Sequence, residues 1–451
     1  MPWDVLIREG KVVTPEGVRD LDIAIENETI VELAAGLSGS AKEEIDASWL
    51  HVFPGVIDAH VHFNEPGRTD WEGFDTGSAA LAAGGGTCFF DMPLNASPPT
   101  LDGQSFDLKL AAAKANSRTD FALWGGLTPT NLDTMEELAE RGVVGFKAFM
   151  SNSGIEDFER TDEGTLRRGM EIAARLGMLV AVHAEDEALT RDASAAAMRG
   201  GATTWRDYLQ SRSPFAEKKA IRCACQIARE TKCRLHVVHV SIQPGVYLID
   251  TERYHQLDVS CETCPHYLLL NDEDLRQLGA AAKCAPPVRS EELRELLWKA
   301  VLNKKVQIIA SDHSPAPASM KEGANAFKIW GGISGVQSTL ASLLTLEPRL
   351  PLELVAALTS GNVAKRFRIE NKGIIAAGFD ADLALVDTNA QYVLTREMLL
   401  DRHKLSPYVG RTFRGLVKRT IVRGQTVFQN GSTVGSFRGR LLTPSKGAAR
   451  A

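Results

Sequence analysis

Two histidines, His60 and His62, directly follow an apolar run that ends at Ile57 and Ala59. Side chains alternate between the two faces of a strand, so both imidazoles would point the same way if this run is a strand. Such a pair can chelate one metal ion. The motif is short, and two hydrogen-bonded histidines at a strand edge would show the same pattern without any metal.

A lysine, Lys147, lies inside the apolar stretch Gly145–Met150. A buried lysine costs free energy unless it is paired, neutralised or modified. A dry pocket lowers the pKa of its amine, and the neutral amine could then take up carbon dioxide as a carbamate with two oxygens able to bridge two metals. The alternative is a lysine whose stem is buried and whose ammonium reaches solvent.

Three more candidate ligands, His183, His239 and Asp312, each follow a separate apolar run. The two imidazoles could serve a second ion, and the carboxylate could touch a metal and accept a proton. An aspartate at a strand end can also simply cap the next loop. We interpret the remaining nearby histidines as structural: His236, His266 and His313.

Taken together, the six candidate ligands predict a two-metal hydrolase. Paired cations would lower the pKa of a bridging water and polarise the attacked carbonyl group. Asp312 would accept the proton of that water and pass it to the leaving nitrogen. Imidazole and oxygen donors suit zinc, but cobalt, iron or manganese would also fit.

The middle of the chain alternates apolar strand-like runs with segments of helical period, which is typical of βα units around a parallel sheet. Helices are predicted at 132–141, 166–176, 216–230 and 291–302, among others. Eight strands are predicted, near 52–62, 87–91, 121–127, 143–149, 178–183, 234–240, 257–262 and 306–312.

This pattern predicts an α/β fold, a (β/α)8 TIM-like barrel. An open, doubly wound sheet is the alternative, because short apolar runs are ambiguous. The barrel is favoured because polar residues fall near the C-terminal ends of five different strands, where barrel enzymes place their chemistry. These residues are His62, Lys147, His183, His239 and Asp312.

Short alternating strands at both ends of the chain indicate a smaller second domain. Residues 3–47 predict a small antiparallel sheet, and a similar texture returns at 381–386 and 419–428. We expect the two ends to pair into one discontinuous β-sandwich. The predicted bounds are 1–50 and 373–440 for the sandwich, 51–372 for the barrel and 441–451 for a tail, whose last residues, 445–451, resemble a disordered or added end.

Composition limits the classes of protein that need to be considered. A length of 451 residues suits two domains, and 44% hydrophobic with 24% charged residues is ordinary for a globular protein. A net charge of −6 gives no reason to expect nucleic acid or an anionic membrane as partner. We find no apolar run of the ~18 residues that a membrane span needs and no basic segment leading into an apolar one, so a cytoplasmic protein is expected.

The seven cysteines are odd in number and scattered, which predicts reduced thiols instead of a secreted disulfide framework. Cys261 and Cys264 have the spacing of a redox or zinc motif. No second Cys-x-x-Cys pair completes a structural zinc site, so we expect buried small residues.

The ligand series His60-x-His62, Lys147, His183, His239 and Asp312 resembles the cyclic amidohydrolases, the family of dihydroorotases, hydantoinases and allantoinases. The resemblance covers nearly the whole chain and includes a return strand at 378–383. It implies a binuclear metal centre bridged by a carboxylated Lys147, cleavage of a ring amide, and a homo-oligomer, commonly a tetramer.

Differences within the family narrow the substrate. Dihydroorotases carry an arginine two positions after the second histidine, where it holds a carboxylate. Asn64 stands there, which favours a small neutral ring. Hydantoinases usually place a tyrosine shortly after the bridging lysine, and residues 151–154 contain none.

Four longer segments resemble the allantoinase branch, at 63–74, 91–95, 261–268 and 283–287. This implies hydrolysis of allantoin to allantoate, with substrate amides held by backbone groups near Ala285 and Gly331. Asn95 is a further substrate-binding candidate, and it could equally be a turn residue. The alternatives are a hydantoinase or dihydropyrimidinase acting on another neutral cyclic amide, and a non-catalytic scaffold, which the presence of all six ligands disfavours.

Overall fold

A computed structural model describes residues 2–445, so all of the predicted end at 445–451 except Ser445 lies outside the described residues. None of the helices in the described range is both long and apolar enough to cross a bilayer. The strands are β1 Trp3–Thr14, β2 Gly17–Glu26, β3 Thr29–Ala34, β4 Ala41–Asp46, β5 His51–Pro54, β6 Val56–Val61, β7 Gly86–Asp91, β8 Asp120–Leu123, β9 Gly125–Gly126, β10 Phe146–Phe149, β11 Leu179–His183, β12 Arg234–Val237, β13 Val259–Thr263, β14 Ile308–Ile309, β15 Leu383–Val393, β16 Thr412–Val422, β17 Gln425–Gln429 and β18 Ser432–Thr433.

Helices follow most strands of the central region, as the alternating pattern predicts. A π-helical turn, Ala357–Gly361, links the thirteenth and fourteenth of them. The α-helices are α1 Phe74–Ala83, α2 Gly103–Asn116, α3 Met135–Glu140, α4 Glu163–Arg175, α5 Glu187–Arg199, α6 Trp205–Ser211, α7 Pro214–Thr231, α8 Gln243–Tyr254, α9 Pro265–Leu269, α10 Asp272–Leu278, α11 Glu291–Leu302, α12 Thr339–Thr345, α13 Leu352–Ala356 and α14 Asn362–Phe367.

Local sequence explains where the longer helices begin. The Asp162 side chain accepts a hydrogen bond from the Thr165 amide at the start of α4. At the start of α7, Ser213 caps the helix and Pro214 occupies its first turn, where a missing amide hydrogen costs nothing. Both helices carry their buried residues on one face, which packs against the barrel strands.

The barrel is built from two parallel sheets that meet at both edges. One sheet has the order β6-β7-β8 and the other runs from β9 to β14 in sequence order. β8 and β9 are two halves of one predicted strand, separated by Trp124. Val61 forms a parallel bridge with His313, and the His62 amide donates a hydrogen bond to the His313 carbonyl at 2.7 Å. These contacts join the end of the first barrel strand, β6, to the segment after the last one, β14. The barrel prediction is confirmed, and the open sheet is wrong.

The predicted strand at 52–62 is in fact two strands in different domains. β5 pairs with β1 and β15 of the terminal sheet, whereas β6 pairs with β7 of the barrel. Gly55 separates them, and a Cβ there would lie 2.2 Å from the Thr87 side chain. Both strands are buried, so hydrophobicity alone does not reveal the break.

The two chain ends pair with each other, as predicted, and they do so in one nine-stranded sheet. β15 runs antiparallel to β5, and from there β16, β17 and β18 extend the sheet. The expectation of a purely antiparallel N-terminal sheet is wrong, because β4 and β5 both lie parallel to β1. Residues 35–40 and 47–50 lead the chain back so that β4 and β5 run in the same direction as β1. An alternation of buried and exposed residues does not reveal the direction of a strand.

A buried charge cluster joins this sheet to the barrel. The Lys372 ammonium lies 2.8 Å from Asp120 at the start of β8, 2.6 Å from Asp382 and 2.9 Å from Asp380. Arg423 at the end of β16 reaches the same Asp120 carboxylate at 3.1 Å. Lys372 therefore supplies the cation that these three carboxylates need, and it fixes the terminal sheet against the barrel.

Candidate metal centre and active-site cavity

The six predicted ligands lie at or just beyond the C-terminal ends of barrel strands. His60 is in β6 with His62 directly after it, Lys147 is in β10 and His183 ends β11. His239 and Asp312 lie two and three residues beyond the ends of β12 and β14. Both have left-handed backbones, with φ of 38° and 46°. A non-glycine residue held in this region is uncommon and is typical of functional sites.

One half of the cluster is centred on Asp312. Its Oδ1 lies 3.3 Å from Nε2 of His60 and 3.5 Å from Nε2 of His62. The two histidine rings have centroids 5.4 Å apart, as expected for residues on the same face of the strand. Ligand atoms of His60, His239 and Asp312 all lie within 4.8 Å of one another, a separation that one cation can bridge.

The other half of the cluster pairs His183 with His239. Nδ1 of His183 lies 3.1 Å from Nε2 of His239. The opposite nitrogen of His183 lies 2.9 Å from the Glu185 carboxylate, which is also bonded to Arg212 at 3.1 Å. This carboxylate fixes the proton of His183 on Nε2 and leaves the Nδ1 lone pair facing the cluster.

Lys147 is fully buried, and its Nζ has no hydrogen-bond partner. It lies 5.1 Å from the centroid of the Phe149 ring, which in turn stacks on His183. Burial lowers the pKa of Lys147 to about 8, although the carboxylates of Glu262 and Asp312 oppose this. His239 Nδ1 is also without a partner. Unpartnered buried nitrogens are costly, so these residues fit a site completed by metal ions.

The charge states of the donors also suit metal binding. Burial lowers the pKa values of His62, His183 and His239, so these imidazoles are neutral at pH 7. Burial alone would raise the pKa of Asp312, but the surrounding imidazoles of His60, His62 and His239 outweigh it and lower that pKa below its ordinary range. Neutral imidazoles around an ionised carboxylate are the donor set of a divalent transition-metal site.

Glu262 of β13 is a site residue that the sequence analysis did not find. Its carboxylate lies 2.5 Å from Nδ1 of His60 and 3.0 Å from Nε2 of His236, whose other nitrogen is 2.8 Å from the Ser260 hydroxyl. His236 is therefore connected to the centre through Glu262, beyond the structural role we assigned to it. A buried glutamate within an apolar strand was the one available signal.

The cluster forms the floor of a cavity of about 580 Å³. The three predicted substrate-binding residues, Asn95, Ala285 and Gly331, all line it. Asn95 is also tied to the floor, because its amide nitrogen lies 3.3 Å from Nδ1 of His62. Asn64 is not among the lining residues, and its amide nitrogen lies 3.5 Å from the Pro315 carbonyl.

Several cavity residues were not anticipated from sequence. Lys283 lies with its ammonium 4.6 Å from the Tyr208 ring centroid and bonds the Ile329 carbonyl. Burial lowers the pKa of Lys283 to about 8. Asn152 and Ser153 line the wall directly after β10, in the segment that lacks a tyrosine. These walls are formed by long loops, whose course local sequence patterns do not predict.

The cysteines are consistent with the reduced thiols that we predicted, because all seven lie in the described range and none is bonded to another. Cys261 and Cys264 do not share a ligand cluster. Cys261 Sγ lies 3.7 Å from Oε1 of Gln307, whereas Cys264 lies near Asp312.

A family model described as "Amidohydrolase family" matches residues 51–427. The chain belongs to the amidohydrolase family. Members of this family are metal-dependent, in agreement with the buried donors of this amidohydrolase. Its full length is also 54% identical over 447 residues to the allantoinase of Rubrobacter xylanophilus, with 98% of each chain covered. It is 40% identical over 435 residues to the allantoinase of Escherichia coli, with 95% of this chain and 96% of the relative covered.

Solved structures with the same fold include the L-hydantoinase (dihydropyrimidinase) from Arthrobacter aurescens. That chain is 31% identical, with a TM-score of 0.95, and the match covers 98% of this amidohydrolase and 100% of the hydantoinase. The dihydropyrimidinase from Brevibacillus agri is 28% identical with a TM-score of 0.91, covering 98% and 99% of the two chains. The fold is therefore shared with hydantoinases, whereas the sequence is more similar to allantoinases.

Proposed function

We propose that this amidohydrolase is an allantoinase that hydrolyses the hydantoin ring amide of allantoin to allantoate. The observation that carries the proposal is the full-length identity of 40–54% to allantoinases from several bacteria. The hydantoinases and dihydropyrimidinases of the same fold reach 31% or less. The cavity over the donor cluster supports the proposal, because a small ring must reach the floor for its amide to be attacked.

We further propose that the site holds two divalent ions, most readily zinc, with cobalt, iron or manganese as alternatives. Their ligands would be His60, His62, His183, His239 and Asp312, with a carboxylated Lys147 between them. When bound, such ions act as Lewis acids and make water a nucleophile near neutral pH. The unpartnered Lys147 Nζ and His239 Nδ1 support this assignment.

Asp312 is the residue that we assign to proton transfer. It is ionised, it lines the cavity and its Oδ1 faces two imidazoles. Its carboxylate would accept a proton from the attacking water and return it to the ring nitrogen that leaves, which avoids expelling an unstable amide anion. The backbone at Ala285 and Gly331 would hold the ring amide, and Asn95 would keep His62 in orientation.

A neutral cyclic amide also fits the charges around the cavity. The Arg212 guanidinium is hydrogen-bonded to Glu185, and the Lys283 ammonium is hydrogen-bonded to the Ile329 carbonyl. No guanidinium in residues 2–445 is therefore left free at the cavity floor to hold a substrate carboxylate as a bidentate pair. By resemblance to its family we also propose a homo-oligomer, and sedimentation velocity of the purified chain tests this.

The deciding experiment compares purified, metal-reconstituted protein on allantoin, hydantoin and dihydrouracil, with metal content measured on the same sample. We expect kcat/KM for allantoin to exceed that for either other ring by at least about tenfold, equivalent to ~1.4 kcal/mol. A preference for dihydrouracil would instead support the dihydropyrimidinase alternative. In Asp312→Asn, kcat should fall by about 10²–10⁴-fold, the usual contribution of general acid–base catalysis, and more where a metal is also lost.

A further inference from the structure

A second group of potential ligands lies beside Asp312, apart from the histidine cluster. The Cys264 sulfur, a ring nitrogen of His266 and a carboxylate oxygen of Asp312 all lie within 4.8 Å of one another. Cys264 directly follows β13, and His266 is in the first turn of α9. Both side chains have no exposed surface, and neither takes part in the catalytic roles assigned above.

His266 supplies an independent observation that this group lacks a ligand. Both of its ring nitrogens are without a hydrogen-bond partner, although the residue is 0% exposed. Buried imidazoles nearly always bond at least one nitrogen, because a buried donor or acceptor without a partner is costly. The ring therefore faces a thiol and a carboxylate without bonding either.

We propose that Cys264, His266 and Asp312 form a second metal site, separate from the catalytic pair, which takes a thiophilic divalent ion and inhibits the enzyme by engaging Asp312. Sulfur, nitrogen and oxygen donors together select zinc-like and softer ions over magnesium or calcium. This inference concerns binding to the folded chain and does not depend on which ring the enzyme opens.

The spacing of the three donors suits such an ion. Donors around a tetrahedral zinc-like ion lie roughly 3.3–3.8 Å apart, given bond lengths of about 2.0–2.3 Å. The present separations, all within 4.8 Å, require each pair of donors to approach by at most about 1.5 Å. Of the three donors, Asp312 lines the cavity, so an ion would first meet the site at this carboxylate.

Binding of the ion releases one proton. Neither ring nitrogen of His266 has a hydrogen-bond partner, so the ring can offer a lone pair to the ion. Burial raises the pKa of the Cys264 thiol, so its S–H bond must break as the sulfur–metal bond forms, and the proton passes to the buffer. The ion is not reduced or oxidised.

Inhibition follows from the shared carboxylate. Asp312 belongs both to this group and to the group with His60 and His239. A cation bound on the cysteine side would hold the Asp312 carboxylate and withdraw it from the proton transfer assigned to it. Activity should therefore fall even when the catalytic ions stay in place.

The test titrates Cd²⁺ into the metal-loaded holoenzyme, without substrate, and follows the ultraviolet thiolate-to-cadmium absorption together with total metal content. The catalytic donors contain no cysteine, so this absorption reports only a thiolate site. We expect one extra Cd²⁺ per chain, a new absorption band, retained catalytic ions and at least tenfold loss of activity. A wild-type protein that shows no thiolate band would overturn the proposal.

Matched variants locate the site. Cys264→Ser should abolish the band, and His266→Gln, which keeps every cysteine, should weaken Cd²⁺ binding at least tenfold and provides a second readout if Cys264→Ser does not fold. Cys261→Ser, on the same strand, should bind Cd²⁺ as the wild type does. If Cys284→Ser, which alters a cavity cysteine, removes the band and Cys264→Ser does not, the assignment is wrong.

Discussion

The Glu262 carboxylate accepts hydrogen bonds from two histidines on different strands. His60 Nδ1 lies 2.5 Å from one carboxylate oxygen, and His236 Nε2 lies 3.0 Å from the other. Burial alone would raise the pKa of Glu262, but the two imidazoles lower it to about 2. An ionised carboxylate only accepts hydrogen bonds, so each facing nitrogen carries a hydrogen. This contact turns the other ring nitrogen of His60, Nε2, towards Asp312.

Glu262→Gln tests this orientation. A glutamine oxygen can accept from one imidazole, but its amide nitrogen must then face the other N–H group. We expect metal affinity or kcat/KM to fall by about 10–100-fold, the usual effect of losing such a supporting carboxylate. Equilibrium dialysis against a metal buffer measures the first quantity. Glu230→Gln, which alters a surface ion pair with Arg167, is the control and should bind metal normally.

The proposed carboxylation of Lys147 predicts that reconstitution depends on both carbon dioxide and pH. Its pKa of about 8 means that roughly one amine in ten is neutral at pH 7, and nine in ten at pH 9. At constant dissolved carbon dioxide, metal uptake by the metal-free protein should therefore accelerate about tenfold between these pH values. Lys147→Met should fail to bind the full metal complement at any pH. Metal uptake that is independent of both carbon dioxide and pH would contradict the formation of a carbamate on Lys147.

The clustering of the six candidate ligands was predictable because barrel geometry and sequence pattern agree at strand ends. A polar residue at the end of a buried apolar strand lies at the C-terminal edge of the barrel, and His183 and Asp312 follow this rule. The supporting carboxylates were harder to find. Glu185 and Glu262 act on histidines through contacts that depend on how neighbouring strands and loops pack, and no spacing in the chain encodes those contacts.

Strand direction and strand breaks were the parts of the fold that the sequence did not reveal. The same apolar run supplies β5 to one domain and β6 to the other, with only Gly55 between them. Likewise, β4 has the pattern of any edge strand, and its parallel pairing to β1 depends on tertiary contacts. Patterning reports which face is buried, whereas pairing partners are decided by packing.

Removing the Lys372 ammonium should destabilise the junction between the two domains. Three carboxylates, from Asp120, Asp380 and Asp382, lie within 2.9 Å of it. Lys372→Met leaves Arg423 as the remaining cation at Asp120 and leaves Asp380 and Asp382 without their ammonium partner, and we expect a loss of about 3–5 kcal/mol in the free energy of unfolding. Urea denaturation measures this loss. Lys11→Met removes an exposed lysine and should change stability by less than about 0.5 kcal/mol; equal effects would exclude a role for the cluster.

Gly332 and Gly331 provide a matched pair in the cavity wall. Gly332 has φ of +144°, and a Cβ there would lie 2.2 Å from the Ser314 carbonyl oxygen. At Gly331 the nearest neighbours of a Cβ are 3.9 Å away. Gly332→Ala should therefore cost at least about 2 kcal/mol of stability, whereas Gly331→Ala should cost less than about 0.5 kcal/mol.

The Gly332 substitution should also affect catalysis, because Ser314 lies two residues after Asp312 and relief of the clash must move that loop. We expect kcat to fall at least tenfold in the folded fraction of Gly332→Ala, since small displacements of a catalytic group are costly. Thermal unfolding and steady-state kinetics on the same preparations separate the two effects. If Gly332→Ala unfolds and turns over like the wild type, the close approach of this wall to the Asp312 loop does not restrain the catalytic carboxylate.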